Sequence, residues 1–128
     1  MELEALTHRI IGAAMRVHRT LGPGFLESVY QRALAWELRL AGAVVECEHR
    51  IQVHYRDVLV GDFVADMLVD RAVLVENKAV RALGPAHAAQ VIHYLKATGL
   101  HVGLLINFGA PSLEVRRFAG KEQRAYRD

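Results

Sequence analysis

Two apolar segments that carry charges in unexpected places decide the fold: residues 63–69 (FVADMLV) and residues 73–80 (VLVENKAV). The second segment opens with three apolar residues in a row. Both faces of the strand that it predicts are therefore apolar, as in a central strand that is covered on both sides. A charged side chain inside such a strand is costly unless it is paired or binds a metal ion. Asp66, Glu76 and Lys78 therefore each need a partner.

The turn between the two segments determines which of these charges meet. Asp70 and Arg71 lie between the segments, and a three-residue loop centred on Arg71 places Asp66 directly opposite Glu76, with Cβ atoms roughly 4.5–5.5 Å apart. Two carboxylates at that distance repel each other unless a proton or a cation lies between them. A hard divalent cation with oxygen ligands, such as Mg²⁺, would suit this pair.

Lys78 shares a strand face with Glu76, because side chains alternate along a strand. Its ammonium group could orient an attacking water or stabilise negative charge that develops on phosphorus. An ion cluster without chemistry, in which Lys78 neutralises one carboxylate, explains the same spacing, because buried ion pairs are often purely structural. The spacing by itself leaves both interpretations open.

Polar residues on two predicted helices are further candidates for the site. Glu27 lies on the apolar stripe that Tyr30 and Leu34 continue, although a carboxylate in a first helical turn is also favoured by the helix dipole. Gln90 and Tyr94 are four residues apart and share a helix face. Both could equally lie at the edge of the core with their polar groups satisfied.

The order of predicted elements is helix, helix, several strands, helix and two strands. Helices are expected over residues 3–21, 25–41 and 86–98, and strands over residues 44–48, 50–55, 58–69, 72–80, 101–108 and 113–118. Gly61 and Asp62 are expected to bulge or interrupt the third of these strands. This order predicts an α/β (α+β) protein with a mixed central β-sheet flanked by helices. It also predicts one domain over residues 1–120, followed by a polar tail over residues 121–128.

Composition narrows the class of protein. The chain has 128 residues, of which 52% are hydrophobic and 23% are charged, with a formal net charge of +2. That is enough apolar material for a core, and the mild basic excess permits a phosphate-rich partner without requiring one. The single cysteine excludes an intramolecular disulfide. The first four residues lack a signal-peptide pattern and no apolar stretch could span a bilayer, so we expect a cytoplasmic protein without membrane contact.

The segment over residues 24–30, Gly-Phe-Leu-Glu-Ser-Val-Tyr, matches the pattern that names the GxxExxY protein family. Further segments resemble that family in the same order: residues 18–30, 65–66, 76–78, 87–90 with Tyr94, and 103–108. The resemblance covers residues 6–118. It implies membership of the PD-(D/E)XK nuclease superfamily, and with it a core like that of the restriction endonucleases.

The resemblance also implies roles for the central charges. Asp66 resembles the aspartate of the PD-(D/E)XK signature, and Glu76 and Lys78 resemble its (D/E)XK part. Ala65 replaces the proline of the signature, and Asn77 stands where relatives usually carry an apolar residue. Asn77 is expected to point away from the metal face, so neither departure removes a ligand.

By the same resemblance, Gln90 and Tyr94 correspond to the glutamine-tyrosine helix motif of exonuclease-like relatives, and Glu27 to the acidic residue of the first core helix. The implied activity is phosphodiester hydrolysis by a Mg²⁺- or Mn²⁺-dependent nuclease. Asp66, Glu76 and Glu27 would be its metal ligands, and Lys78 and Gln90 would complete the catalytic set. The alternative is a catalytically silent subunit that binds nucleic acid or joins a complex, because fold does not fix function.

The expected partner is nucleic acid, with DNA favoured over RNA, and the protein could act as a homodimer or within a larger assembly. Tyr30, Tyr94, Arg116 and Arg117 are the candidate nucleic-acid contacts, since arginine suits phosphate well. Ordinary charges on an edge strand explain the two arginines equally. His18 is a candidate neighbour of the site, although a lone helical histidine is usually structural.

Overall fold

The computed structural model describes residues 2–120, and the predicted tail over residues 121–128 lies outside that part of the chain. The described elements are α1 (Glu2–Leu21), α2 (Glu27–Leu40), β1 (Val45–Tyr55), β2 (Val58–Val69), β3 (Val73–Lys78), α3 (Pro85–Thr98), β4 (Val102–Asn107) and β5 (Glu114–Ala119). No helix of this part of the chain is both long and apolar enough to cross a membrane.

The five strands form one mixed sheet in the order β1-β2-β3-β4-β5. The β3–β4 pair is parallel because α3 connects its strands, and the other pairs are antiparallel. Helices α1 and α2 cover one face of the sheet and α3 covers the other, with a separate apolar cluster under each face. Val73–Val75 of β3 is fully buried, as a strand covered on both sides requires. The α+β class and the mixed sheet with flanking helices are therefore confirmed.

The hairpin of β1 and β2 extends beyond the rest of the sheet. β2 pairs with β3 only from Met67 to Val69, whereas it pairs with β1 along its whole length. We call the outer part, residues 50–64, the β-arm. The extra residue in the β1–β2 ladder is Val60, which lies beside the predicted Gly61–Asp62 irregularity.

Strand β1 is continuous, whereas the sequence predicted two strands separated near Glu48. Glu48 has a left-handed backbone (φ 56°) and lies opposite Asp66 without a regular ladder pair. At the same point Ala65 belongs to the apolar cluster under α3, while Met67, two residues further on, belongs to the cluster under α1 and α2. Residues two apart share a face in a regular strand, so the β-arm twists here and turns its inner face toward α3.

Tyr30 fastens the loop between α1 and α2 to the core. Its ring is fully buried and stacks on Phe108 with ring centroids 4.8 Å apart. Its hydroxyl donates to the Gly22 carbonyl and accepts from the Phe25 amide. These contacts attach the glycine-rich loop that precedes Glu27 to the core.

This arrangement predicts that Tyr30→Phe lowers the free energy of unfolding by about 1–2 kcal/mol, because the loop loses a hydrogen-bond partner for two backbone groups. Tyr55→Phe is the matched control, since Tyr55 is 66% exposed on the β-arm. Urea denaturation followed by circular dichroism measures both variants. Equal midpoints for the two variants would show that the Tyr30 hydroxyl does not hold the loop.

Candidate functional site

Asp66 and Glu76 lie where β2 separates from β3. The ladder between these strands ends at the pair Met67 and Val75, in the register that a three-residue loop requires. Beyond it, the Asp66 amide donates to Glu76 Oε2 at 2.7 Å, and the Asn77 amide donates to Asp66 Oδ2 at 2.7 Å. Each carboxylate therefore replaces a strand carbonyl as acceptor. The predicted opposition of Asp66 and Glu76 is present, but it is made through these two crossed hydrogen bonds.

The surroundings of Asp66 and Glu76 favour the protonated form of each carboxylate. Burial, followed by the charge of Asp66, raises the pKa of Glu76 to about 7, and only 2% of Glu76 is exposed. Burial likewise raises the pKa of Asp66 above its usual value, with a further contribution from Glu48. Lys78 opposes both shifts from a short distance, but its positive charge does not overcome the cost of burying the two carboxylates.

Lys78 makes its hydrogen bond to a helix and not to a carboxylate. Its Nζ donates to Gln90 Oε1 at 3.1 Å, and Gln90 Nε2 in turn donates to the Tyr94 hydroxyl at 3.3 Å. Within residues 2–120, no ion pair joins Lys78 to an acidic side chain; the pairs found there are Arg16–Glu37, His49–Glu46 and Arg50–Asp62. The ion-cluster interpretation requires such a contact, so this geometry speaks against it.

Glu27 approaches the same site from the first turn of α2. The charges of Lys78, Asp66 and His87 and the backbone amide of Ala79 all act on its carboxylate. Burial nevertheless raises its pKa, as it does for the other two acids. Four predicted site residues from β2, β3 and α2 (Asp66, Glu76, Lys78 and Glu27) thus lie together, and Gln90 with Tyr94 adds α3.

Glu48 is a neighbour of the site that sequence reasoning missed. It lies opposite Asp66 on β1, and its charge contributes to the raised pKa of Asp66. Its side chain is exposed. No local signal identified it, because Glu46 and Glu48 alternate with Cys47 and His49 as charged residues do on any solvated strand.

Other predicted residues lie elsewhere. Tyr30 was predicted to contact nucleic acid, but its burial in the core excludes direct contact, and this prediction is wrong. His18 Nε2 bonds to the Ala110 carbonyl at 2.9 Å and joins α1 to the segment after β4. Arg116 and Arg117 are exposed on β5. Because Glu76 and Arg116 both neighbour Leu105, Arg116 shares the face of Glu76, whereas Arg117 projects from the other face.

The donor set suits a hard divalent cation. Asp66 and Glu76 each use one oxygen for a strand amide and keep the other available. Carboxylate oxygens with water are the ligands that Mg²⁺ and Mn²⁺ accept. Within residues 2–120, no group of three or more His, Cys, Asp and Glu side chains is arranged so that it could hold a metal ion by itself. A cation here would therefore rely on the acidic pair, with water completing its shell.

The mixed sheet brings two carboxylates and a lysine to the point where its central strands separate. A protein-family model described as the PD-(D/E)XK nuclease superfamily matches residues 4–118, and the chain belongs to that superfamily. Nucleic-acid substrates and divalent metals are general features of these nucleases. Neither the curated proteins nor the solved structures include a significant match.

Proposed function

We propose that this protein is a Mg²⁺- or Mn²⁺-dependent nuclease that hydrolyses phosphodiester bonds, with residues 1–120 acting as one catalytic domain of the GxxExxY type. The observation that carries the proposal is the crossed hydrogen bonding of Asp66 and Glu76. This arrangement fixes the buried carboxylate of Glu76 beside the half-buried carboxylate of Asp66. Each keeps a free oxygen, so that a cation would relieve their repulsion.

Each residue has a specific task in this proposal. Asp66 and Glu76 hold the metal, with Glu27 as a direct or water-mediated ligand. A metal held by these residues would supply a water of lowered pKa and positive charge against the phosphate. Lys78 Nζ orients the attacking water, and Gln90 positions Lys78 through the 3.1 Å hydrogen bond. Glu27 is exposed and can exchange a proton with solvent, while partial burial of its carboxylate raises its pKa.

Cleavage assays test the proposal directly. Labelled single- and double-stranded DNA and RNA are incubated with Mn²⁺, with Mg²⁺ and with EDTA, and products are resolved by gel electrophoresis. We expect cleavage with either metal and none with EDTA. Metal-dependent binding without cleavage of any substrate would replace this proposal with the silent-subunit alternative.

Arg116 is expected to bind a phosphate that flanks the cleaved bond, because it lies on the face of Glu76, two strands away. Arg116→Ala should weaken nucleic-acid binding a few-fold and reduce the slope of log affinity against log salt by about one. Arg117→Ala is the matched control, being equally exposed on the opposite face. Fluorescence anisotropy at several salt concentrations measures both slopes, and a wild-type slope for Arg116→Ala would remove Arg116 from the interface.

A further inference from the structure

A cleft of about 800 Å³ lies between the β-arm and α3. Gln52, Val53, His54 and Phe63 form the wall on the β-arm, and one face of α3 forms the other wall. Its volume falls in the range of roughly 300–1,000 Å³ that is typical of ligand pockets. β2 pairs with β3 only from Met67 to Val69, so the sheet does not fill the space between the β-arm and α3.

The cleft adjoins the proposed catalytic site at Gln90. Gln90 and Tyr94 belong to its wall, and the same Gln90 accepts the hydrogen bond from Lys78. If a phosphate of a nucleic-acid strand lay at Lys78, the adjacent nucleotide would therefore lie at the entrance of the cleft.

The surface of the cleft suits a ligand that has a planar ring and a phosphate group. Phe63 is 46% exposed, whereas Tyr94 is buried. The two rings lie 6.0 Å apart at an angle of 43°, so a further ring would stack on the exposed part of Phe63. The Phe63 ring lies over Gly61, where an added Cβ would come within 2.7 Å of it, so the orientation of the ring depends on that glycine. On the opposite wall, the small side chains of Ala86 and Ala89 leave room for a ligand.

The described lining of the cleft contains the basic side chains Lys96, His54 and His93 and no aspartate or glutamate. No carboxylate of this lining therefore repels an anionic ligand, whereas the acidic pair needs a cation. An apolar, aromatic floor with basic groups at the rim is the combination with which proteins bind single-stranded nucleic acid, where bases stack on aromatic rings.

We propose that this cleft holds an unpaired nucleotide of the strand that is cut, with its base stacked on Phe63. The inference rests on the proposed nuclease function and adds a substrate class to it: single-stranded nucleic acid, or strand ends, in preference to continuous duplex. In a duplex each base is paired and stacked on its neighbours, and it would have to be extruded before it could enter the cleft.

Binding to an abasic strand tests the inference without any variant. Anisotropy is measured in EDTA with a labelled thymidine oligonucleotide of about 12 nucleotides, within the usual range of single-strand site sizes, and with an analogue whose bases are absent. The intact strand should bind roughly 5- to 150-fold more tightly, which is the fold-change expected for one base–aromatic stack. Equal affinity for the two strands would overturn the inference.

Variants of the β-arm locate the effect. Phe63→Ala should reduce binding of the intact strand to the level of the abasic strand and leave abasic binding unchanged, whereas Phe63→Trp should retain the difference. Val64→Ala is the matched control, because Val64 is 53% exposed on the opposite face of the same strand. A Phe63→Ala effect that is equally large with the abasic strand would overturn the stacking role.

The inference and the nuclease proposal fail in different ways. Base-dependent binding without cleavage of any substrate would leave the cleft assigned and remove the nuclease activity. Metal-dependent cleavage of continuous duplex, intact strand and abasic strand at equal rates would keep the activity and overturn the assignment of the cleft.

Discussion

Glu76→Gln should reduce the rate of phosphodiester cleavage by roughly a hundred- to thousand-fold, the loss that follows removal of one preorganised charge-stabilising group from an active site. Glutamine keeps an oxygen that can accept from the Asp66 amide, so the crossed hydrogen bonding at the end of the β2–β3 ladder is preserved. What the variant loses is the negative charge that would hold a cation. Single-turnover cleavage of a labelled strand in Mn²⁺ measures the effect on the chemical step.

The variant should achieve this loss with an intact fold. In the wild type, ionised Glu76 is buried beside Asp66, and a neutral side chain removes that repulsion. Glu37→Gln makes the same chemical change on α2, where Glu37 pairs with Arg16 at the surface, and it should cleave like the wild type. If Glu76→Gln also cleaved at the wild-type rate, the site would lie elsewhere in the molecule.

The central hairpin could be predicted because its determinants are local. A three-residue loop and the two-residue period of a strand fix the register of β2 against β3, and the structure has that register from Met67 to Val69. The sequence could not predict that carboxylate oxygens replace main-chain carbonyls as hydrogen-bond acceptors at Asp66. It depends on β2 leaving the sheet at that residue, which the twist opposite Glu48 produces.

Residues distant in sequence were harder to place, because a helical or strand period assigns a face without identifying what covers it. The same stripe on α2 contains Glu27, which reaches the site, and Tyr30, which is buried against Phe108. The shared face of Gln90 and Tyr94 was evident from their spacing, but the hydrogen bond from Lys78 to Gln90 depends on how α3 crosses the sheet. The cleft beside them joins the β-arm to α3 and has no counterpart in any single segment.

The stability of the metal-free protein should fall as the pH rises from about 4.5 to about 7. Folding raises the pKa of Glu76 from 4.5 to about 7, so the folded state binds this proton more tightly than the unfolded state does. The contribution is fully present below the unfolded pKa and is lost as the pH passes through the folded pKa. With a slope of about 1.4 kcal/mol per pH unit, the loss is about 3 kcal/mol. The raised pKa of Asp66 acts in the same direction.

Urea denaturation in EDTA across this pH range measures the effect as the difference between wild type and Glu76→Gln, which cancels the titration of unrelated groups. At pH 8, Mn²⁺ should restore stability to the wild type, by about 2.7 kcal/mol at one hundred times its dissociation constant, and should do little at pH 5, where protons occupy the carboxylates. The opposite sign has a clear meaning. A Glu76 carboxylate held in an ion pair by Lys78 would have a lowered pKa, and the wild type would then gain stability relative to Glu76→Gln as the pH rises. The slope thus decides between a site built for a cation and one that Lys78 already neutralises.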